Sequence, residues 1–358
     1  MPTRDELLIT RVDAALAAFL RDRASSLAAV GPELQPVSDA ITTLVLEGGK
    51  RLRPRFAYWG WRAALDTAGD GVDDRGLVTA AASLELLHAC ALVHDDVMDD
   101  SDTRRGRPAT HAAFANLHRE HAWPGDARVF GSAAAILIGD LLLAWADTMF
   151  AGAELDPAAV PAAREIYDDM RQLVMAGQYL DVLVQARGDF SIEDSLRVAA
   201  FKTSKYTVEG PLHLGAAAAL AGPEVFTALS AYGSAIGEAF QLRDDVLGVF
   251  GDPARTGKPA GDDLREGKRT LLVALAMQAA SAVEAELLKH EVGDRSMDDA
   301  GVAALREVIV STGALDQVEQ RIAQRTDEAR AALRTEAINP EAREALDTLA
   351  TAATERTG

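Results

Sequence analysis

The chain has 358 residues, with 36 Lys and Arg against 55 Asp and Glu, and so a formal net charge of −19. Its 48% hydrophobic and 25% charged residues are typical of a folded globular protein and exclude a disordered or fibrous one. The charge disfavours nucleic acid or an anionic membrane as the main partner, because both reward a basic surface. The single cysteine, Cys90, excludes an intramolecular disulfide and a Cys-based zinc cluster.

Helical periodicity runs through almost every long segment and predicts an all-α fold. A capping-box pattern, Thr3 to Glu6, predicts the start of the first helix. Further helices are predicted at 36–47, 54–66, 77–99, 107–119, 129–151, 157–185, 192–206, 207–221, 223–249, 269–289, 299–311, 314–335 and 340–355. No flexible linker separates two halves, so we expect one all-α domain over residues 1–358.

The apolar segments 77–94 and 129–146 are predicted to lie at the centre of a helical bundle. The most hydrophobic stretch, 131–150, contains Asp140 and Asp147, so we expect no segment that passes the test for a bilayer span. The N-terminus is charged and has no apolar signal core. These features predict a cytoplasmic protein without stable membrane insertion.

The strongest chemical signal is an acidic run at the end of an apolar helix. Asp95, Asp96 and Asp99 have i,i+3 and i,i+4 spacings and share one helix face. Uncompensated negative charge is costly beside a core, and hard divalent cations with oxygen ligands supply the counter-charge. A solvated acidic helix end is the alternative, but the apolar lead-in and the basic run 104–107 count against it.

A second acidic pair, Asp244-Asp245, also follows an apolar helix and precedes a loop containing lysine and glycine. Two carboxylate clusters beside cationic residues predict one shared metal site that holds a polyanion. Mg²⁺ is usually completed by substrate phosphates, so a diphosphate is the predicted ligand. Four of the six lysines support this, because they lie beside glycine turns or acidic motifs and an ammonium binds phosphate oxygens well: Lys50, Lys202, Lys258 and Lys268.

The ordered motifs resemble those of the trans-isoprenyl diphosphate synthases, in particular bacterial geranylgeranyl diphosphate synthases. They are GGKRLRP, LLHACALVHDDVMDDSDTRRGRPATH, GQYLD, FKTSKY and QLRDDVLGVFGDPARTGKPAGDDLREGKRT, and they cover roughly residues 35–290. The resemblance implies an all-α bundle around a deep central cavity, usually a homodimer. It also implies an enzyme that joins an allylic diphosphate to isopentenyl diphosphate with Mg²⁺, three ions per site.

The resemblance also implies roles for individual residues. The metal ligands are Asp95, Asp99 and Asp244, with Asp96 and Asp245 beside them. The contacts to the allylic diphosphate are Arg104, Lys202, Thr203, Gln241 and Lys258. The isopentenyl diphosphate site is formed by Lys50, Arg53, His88 and Arg105, and Lys268 closes the far side of the metal site.

One position departs from the family pattern. The second motif reads DDVLG, with Gly248 where many relatives have a third Asp. Asp252 lies four residues further on and is a candidate replacement. We expect activity to survive this change.

The residues before Asp95 bear on product length. In the resembled family, bulky aromatics four and five residues before this aspartate act as a floor for the growing chain. Here these residues are the small Ala91 and Cys90, which predicts a cavity deeper than a C15 product needs. Leu87 is a candidate for the deeper floor, with Leu84, Trp145 and Met175 as further candidates, all of which we interpret as core residues. The expected product is C20, and farnesyl or longer-chain products are alternatives.

Two functions outside this reaction are alternatives that the sequence disfavours. A class I terpene cyclase needs an Asn-containing second metal motif and usually an aromatic-lined cavity, whereas this chain has only two asparagines and 5% aromatics. A regulatory subunit of a partner synthase is expected to lose acidic or phosphate-binding motifs, and both are retained here. The sequence therefore favours the enzyme.

Overall fold

The computed structural model describes residues 3–65, 71–252 and 261–354. Helices make up nearly all of the regular structure in these ranges, which confirms the all-α prediction. The first ten elements are α1 (Arg4–Ala28), a 3₁₀ turn (Pro32–Leu34), α2 (Gln35–Leu46), α3 (Leu52–Ala63), α4 (Arg75–Met98), β1 (Thr103–Arg104), β2 (Arg107–Pro108), α5 (Thr110–Glu120), α6 (Ala127–Ala151) and α7 (Val160–Arg187).

The remaining elements follow without further strands in the described part of the chain. They are α8 (Ile192–Val198), a π-helical segment (Ala199–Glu209), α9 (Gly210–Ala218), α10 (Pro223–Phe250), α11 (Asp262–Glu266), α12 (Leu271–Ala279), α13 (Ala282–Glu291), α14 (Asp299–Ser311), α15 (Ala314–Ala332) and α16 (Pro340–Thr354). Internal contacts divide the chain into two compact units: Met1–Glu165 with Pro211–Gly222, and Ile166–Gly210 with Pro223–Gly358. A single domain around a deep central cavity stays a prediction.

The first unit is built around α4. This helix packs against α1, α3 and α6, and most of its side chains are buried. Its apolar character on nearly all sides is therefore explained by neighbours on several faces. The predicted capping box at Thr3 is also present and starts α1.

A two-residue hairpin lies between α4 and α5, where the sequence predicted a helix from residue 107. Arg105 and Gly106 both have positive φ, 54° and 73°, as the tight turn between β1 and β2 requires. Pro108 pairs with Thr103 at the open end, and α5 begins only at Thr110. The predicted helix start was wrong because turn geometry outweighed helical periodicity.

The second unit is built around α10, which packs against the π-helical segment, α11, α12, α15 and α16. The C-terminal helices hold α10 through polar contacts as well as apolar ones. Arg243 donates to both carboxylate oxygens of Glu319 at 2.6 and 2.7 Å and to the carbonyl oxygen of Thr354 at 2.8 Å. The hydroxyl of Tyr232 donates to the carbonyl oxygen of Leu346 at 2.7 Å.

Two predicted helix boundaries differ in this unit. The predicted helix 269–289 is two helices, because Ala280 is extended and Ser281 starts α13 with its own capping box to Glu284. The boundary predicted near residue 206 falls within the π-helical segment Ala199–Glu209. Periodicity does not distinguish α from π geometry over so short a stretch.

Within the described residues two helices, α4 and α6, are long and apolar enough to cross a membrane. The expectation that no segment would pass this test is therefore wrong. In α4 78% of the most apolar window is buried inside the protein, as in a core helix. In α6 only 39% is buried, and its exposed side chains include Val129, Ile136 and Leu137.

Candidate functional site

The acidic motif at the end of α4 lies against the hairpin that follows it. Asp96 is only 2% exposed, and Asp99 is also buried. The Nε of Arg104 donates to Oδ1 of Asp96 at 2.9 Å, and a second guanidinium nitrogen contacts the same oxygen. That nitrogen also lies 3.5 Å from Oδ2 of Asp95. Arg104 therefore supplies the counter-charge that this apolar helix end needs.

The hairpin turn also directs Arg105 toward the loop between α2 and α3. Its guanidinium donates to the carbonyl oxygens of Leu44 and Glu47, each at 3.4 Å. Gly48 and Gly49 have φ near +97°, and ideal Cβ atoms there would lie within 3.6 Å of the Arg105 guanidinium. The glycine pair thus lets the loop that carries Lys50 approach this arginine closely.

A concentration of positive charge surrounds His88 on α4. Burial, followed by the nearby Arg53, Arg105 and Arg104, holds the pKa of His88 well below its ordinary value. The imidazole is therefore neutral near pH 7. Burial also lowers the pKa of Arg105, and Arg51, Arg104 and Arg53 add to this effect although Glu85 opposes it.

These residues form a basic group, which we define as Arg53, His88, Arg104 and Arg105. Three cationic side chains this close repel one another, and an anion bound among them would relieve the repulsion. Lys50 is exposed at the edge of the glycine loop beside this group. The first unit therefore brings Arg53, His88 and Arg105, predicted for isopentenyl diphosphate, close to Arg104, predicted for the allylic diphosphate.

A buried ion pair of Arg51 stabilises the start of the helix that carries Arg53. Arg51 has positive φ, 49°, and is only 4% exposed. Its guanidinium donates to Glu85 at 2.9 Å and to Asp13 at 2.7 Å. Glu85 is likewise buried, whereas the Asp13 side chain is 45% exposed. The ion pair fixes the start of α3, which carries Arg53, against α4.

The second acidic motif lies in the second unit, on α10. Asp244 is half-buried and Asp245 is buried. The amide of Gln241 donates to Oδ1 of Asp245 at 2.7 Å, and the hydroxyl of Thr203 donates to Gln241. Burial raises the pKa of Asp245 to about 8, and the charges of Asp263 and Asp244 add to the effect. Asp245 therefore holds a proton near neutral pH in the absence of a cation.

Lys202 is held by a carboxylate that was not among the predicted site residues. Its Nζ lies 2.7 Å from Oδ2 of Asp181, in the GQYLD motif of α7. Lys202 and Thr203 both belong to the π-helical segment, and π geometry is frequent at functional sites. Gly177 admits the segment closely, because an ideal Cβ there would lie 2.3 Å from the backbone nitrogen of Lys202.

Lys268 follows α11, which packs against α10. Its Nζ lies 3.1 Å from Oδ1 of Asp263 and 2.8 Å from Oε2 of Glu266. Lys258 lies outside the described residues, so its predicted contact stays a prediction. Asp252, the candidate for the missing third carboxylate, is exposed.

The proposed chain-length residues are on α4. Cys90 and Leu87 are buried and Ala91 is half-buried. Burial raises the pKa of the Cys90 thiol to about 12, which agrees with a small core residue and not a nucleophile. Leu84 and Trp145 are buried as expected, whereas Met175 is 49% exposed and the interpretation of it as a core residue is wrong.

The donor set fits magnesium, a cation that prefers oxygen ligands. Both acidic motifs offer carboxylate oxygens, which hard cations prefer. His94 directly precedes Asp95, but its Nε2 lies 3.1 Å from the carbonyl oxygen of Ile136 on α6. Among the described residues no group of three or more His, Cys, Asp or Glu side chains forms a ready-made metal cage. Mg²⁺ in proteins is usually bound through one or two carboxylates and completed by substrate phosphates.

Three supporting residues were missed by the sequence reasoning. Asp181 lies within a quoted motif and could have been found as a carboxylate matched to Lys202. Asp263 is one of several acidic residues that follow α10, and nothing in the sequence distinguishes it from the others. Glu85 had no signal beyond being a charge within an apolar helix, which itself suggests a buried partner.

Residues 35–309 match the sequence profile of the polyprenyl synthetase family. The chain is 34% identical over 317 residues to geranylfarnesyl diphosphate synthase of Aeropyrum pernix, covering 87% of this chain and 92% of the relative. It is 37% identical over 246 residues to geranylgeranyl diphosphate synthase of Mycobacterium tuberculosis, covering 69% of this chain and 63% of the relative.

A comparison with solved structures supports the same family. The crystal structure of geranylgeranyl pyrophosphate synthase from Corynebacterium glutamicum, complexed with isoprenyl diphosphate and magnesium, has a TM-score of 0.95 and 42% sequence identity. The match covers 99% of this chain and 100% of that chain. The chain belongs to the polyprenyl synthetase family and is a prenyltransferase. Other relatives are named as farnesyl and octaprenyl diphosphate synthases, so membership leaves the product length open.

Replacing Glu85 tests the buried support of the basic group. Glu85→Ala leaves the Arg51 charge without its buried partner, and we expect a loss of about 3–5 kcal/mol in the free energy of unfolding. Asp13→Ala removes the exposed partner of the same arginine and should cost less than about 1 kcal/mol. Urea unfolding followed by circular dichroism measures both. Equal losses would contradict the assignment of the support to Glu85.

Proposed function

We propose that this prenyltransferase condenses isopentenyl diphosphate with an allylic diphosphate, giving geranylgeranyl diphosphate (C20) in a Mg²⁺-dependent reaction. The observation that carries the proposal is the basic group beside the acidic end of α4. Buried carboxylates recruit cations there, while Arg53, His88 and Arg105 offer donors to an anion. A diphosphate with magnesium satisfies both sets at once.

The proposed metal ligands are Asp95 and Asp99 on α4 and Asp244 on α10, holding three ions in all. Asp96 positions the first motif, because Arg104 is bound to it in this structure. We propose that Arg104 turns to the allylic diphosphate when cations take over the charge of Asp95 and Asp96. Lys202 and Lys258 are proposed to contact the same diphosphate, with Thr203 and Gln241 as polar neighbours.

The isopentenyl diphosphate is proposed to bind Lys50, Arg53, His88 and Arg105. The neutral state of His88 suits it to donate one hydrogen bond without adding to the local positive charge. Lys268 is proposed to approach the metal-bound diphosphate from the side of α10. Its partners Asp263 and Glu266 hold it in place before substrate binds.

The chemistry requires charge to develop on a leaving diphosphate. Bound Mg²⁺ would supply electrostatic stabilisation of that charge. The arginines and lysines add fixed positive charge, so the allylic C–O bond can ionise. The isopentenyl diphosphate site holds the double bond close to the allylic cation, and a proton is then lost to the released diphosphate. No side-chain nucleophile is needed, which agrees with the protonated, buried Cys90.

Three further assignments are proposals. The small side chains of Cys90 and Ala91 support a C20 product, since each helical residue adds about 1.5 Å of depth. The exposed apolar side chains of α6 support a homodimer, since a second copy would cover them. A cytoplasmic location is proposed from the sequence features alone.

Product analysis tests the reaction. The purified chain with isopentenyl diphosphate, an allylic diphosphate (dimethylallyl, geranyl or farnesyl) and Mg²⁺ should give a longer prenyl diphosphate by mass spectrometry, and chelation of Mg²⁺ should abolish it. Asp244→Ala should lower kcat about 100-fold or more, whereas Glu224→Ala, on the exposed first turn of the same helix, should not. A hydrocarbon product would favour a cyclase, and turnover only with a second protein would favour a regulatory subunit.

Product length is tested at the two small residues on α4. Cys90→Phe and Ala91→Phe each place a ring where the growing chain is proposed to pass, so both should shorten the main product relative to the wild type. Mass spectrometry of the extracted products gives the distribution. Ala91 is half-buried, so this variant keeps the test valid if Cys90→Phe misfolds. Unchanged products from both folded variants would contradict the proposal that these two positions limit product length.

The oligomeric state is tested on α6. Leu137 is 67% exposed, and Leu137→Glu places a charge in the proposed dimer interface. Light scattering after gel filtration should give twice the chain mass for the wild type and a lower mass for this variant. Val310→Glu, at a 53% exposed valine on α14, is the matched control and should leave the mass unchanged. A monomeric wild type would overturn the proposal.

A further inference from the structure

The side chain of Asp263 lies in the space beside Gly248. An ideal Cβ on Gly248 would be 1.7 Å from Oδ2 of Asp263 and 2.4 Å from its Cγ. No real Cβ tolerates such distances, so any side chain at position 248 and the present Asp263 carboxylate exclude each other. The glycine that departs from the family pattern is therefore the residue that admits this carboxylate.

Local structure fixes Asp263 in this place. It lies in the first turn of α11, which follows Gly261 with φ of +77° and packs against α10. Its Oδ1 is 3.1 Å from Nζ of Lys268, and its carbonyl oxygen accepts from the Lys268 backbone nitrogen at 3.0 Å. One carboxylate oxygen thus faces the lysine while the other faces Gly248.

Position 248 is one helical turn after Asp244, so the two positions share a face of α10. A carboxylate beside Gly248 is consequently on the same side as the proposed metal ligand Asp244. We propose that Asp263 supplies the third carboxylate of the second acidic motif, in place of the side chain that Gly248 lacks. This inference rests on the proposed function of the site. Asp263 positions the Mg²⁺–diphosphate ligand, and the exposed Asp252 does not.

Exchanging the two positions tests the inference. Asp263→Ala should raise the Mg²⁺ concentration for half-saturation about tenfold, as loss of a supporting carboxylate does at metal sites. Gly248→Asp alone should also weaken binding, because the new side chain and Asp263 compete for one space. The double variant Gly248→Asp/Asp263→Ala moves the carboxylate onto α10 and should recover most of the loss. Calorimetric titration of Mg²⁺ into the full chain with inorganic pyrophosphate measures all three.

Asp252→Ala is the matched control and should bind Mg²⁺ like the wild type. Circular dichroism and thermal unfolding without metal identify any variant that fails to fold. Wild-type affinity in a folded Asp263→Ala, a double variant no better than Asp263→Ala, or an equal loss in Asp252→Ala would each overturn the inference. Binding is measured without turnover. A wild type that binds Mg²⁺–pyrophosphate but does not elongate a prenyl diphosphate therefore refutes the proposed function and leaves this inference standing.

Discussion

The ion pair of Arg104 with Asp96 allows an apolar helix to end in carboxylates. Most side chains of helix α4 are buried, and a bare carboxylate at its end would carry a desolvation cost of several kcal/mol. The hairpin returns the chain so that Arg104 meets this charge within the same unit. The same turn gives Arg105 to the basic group, so one hairpin serves the acidic and the basic halves of the site. At the start of α3, Arg51 and Glu85 likewise neutralise each other's buried charge.

Much of this was predictable from sequence because the signals are strong and local. Apolar periodicity predicted the helices, and the acidic motifs predicted Asp95, Asp96 and Asp99 as a group on one helix face. Pairings between distant segments could not be predicted, because charge alone does not choose among 55 acidic residues. Lys202 with Asp181 is such a case, since the pairing depends on how α7 meets the π-helical segment. The hairpin was missed for another reason, since its turn depends on positive φ at Arg105, a non-glycine residue.

The C-terminal helices, which carry no chemical motif, are explained by their contacts with α10. Arg243 directly precedes Asp244 and is bound by Glu319 on α15 and by the end of α16. Glu238, five residues before Arg243, pairs with Arg321 and Arg325 of α15. These contacts hold α10 against α15 and α16 and restrict its rotation. Precise placement of Asp244 and Asp245 therefore depends on residues that lie 76 to 111 positions after Arg243 in the chain.

The hairpin after α4 also limits how this segment can change in length. Only two residues, Arg105 and Gly106, connect β1 to β2, and the pairing register of Thr103 with Pro108 follows from that turn. One inserted residue would shift the register and turn successive side chains to the opposite face. Arg104 would then point away from Asp96, and the arginine at 105 would leave the glycine loop. The number of residues between the acidic motif and the two arginines is thus as strongly constrained as their identity.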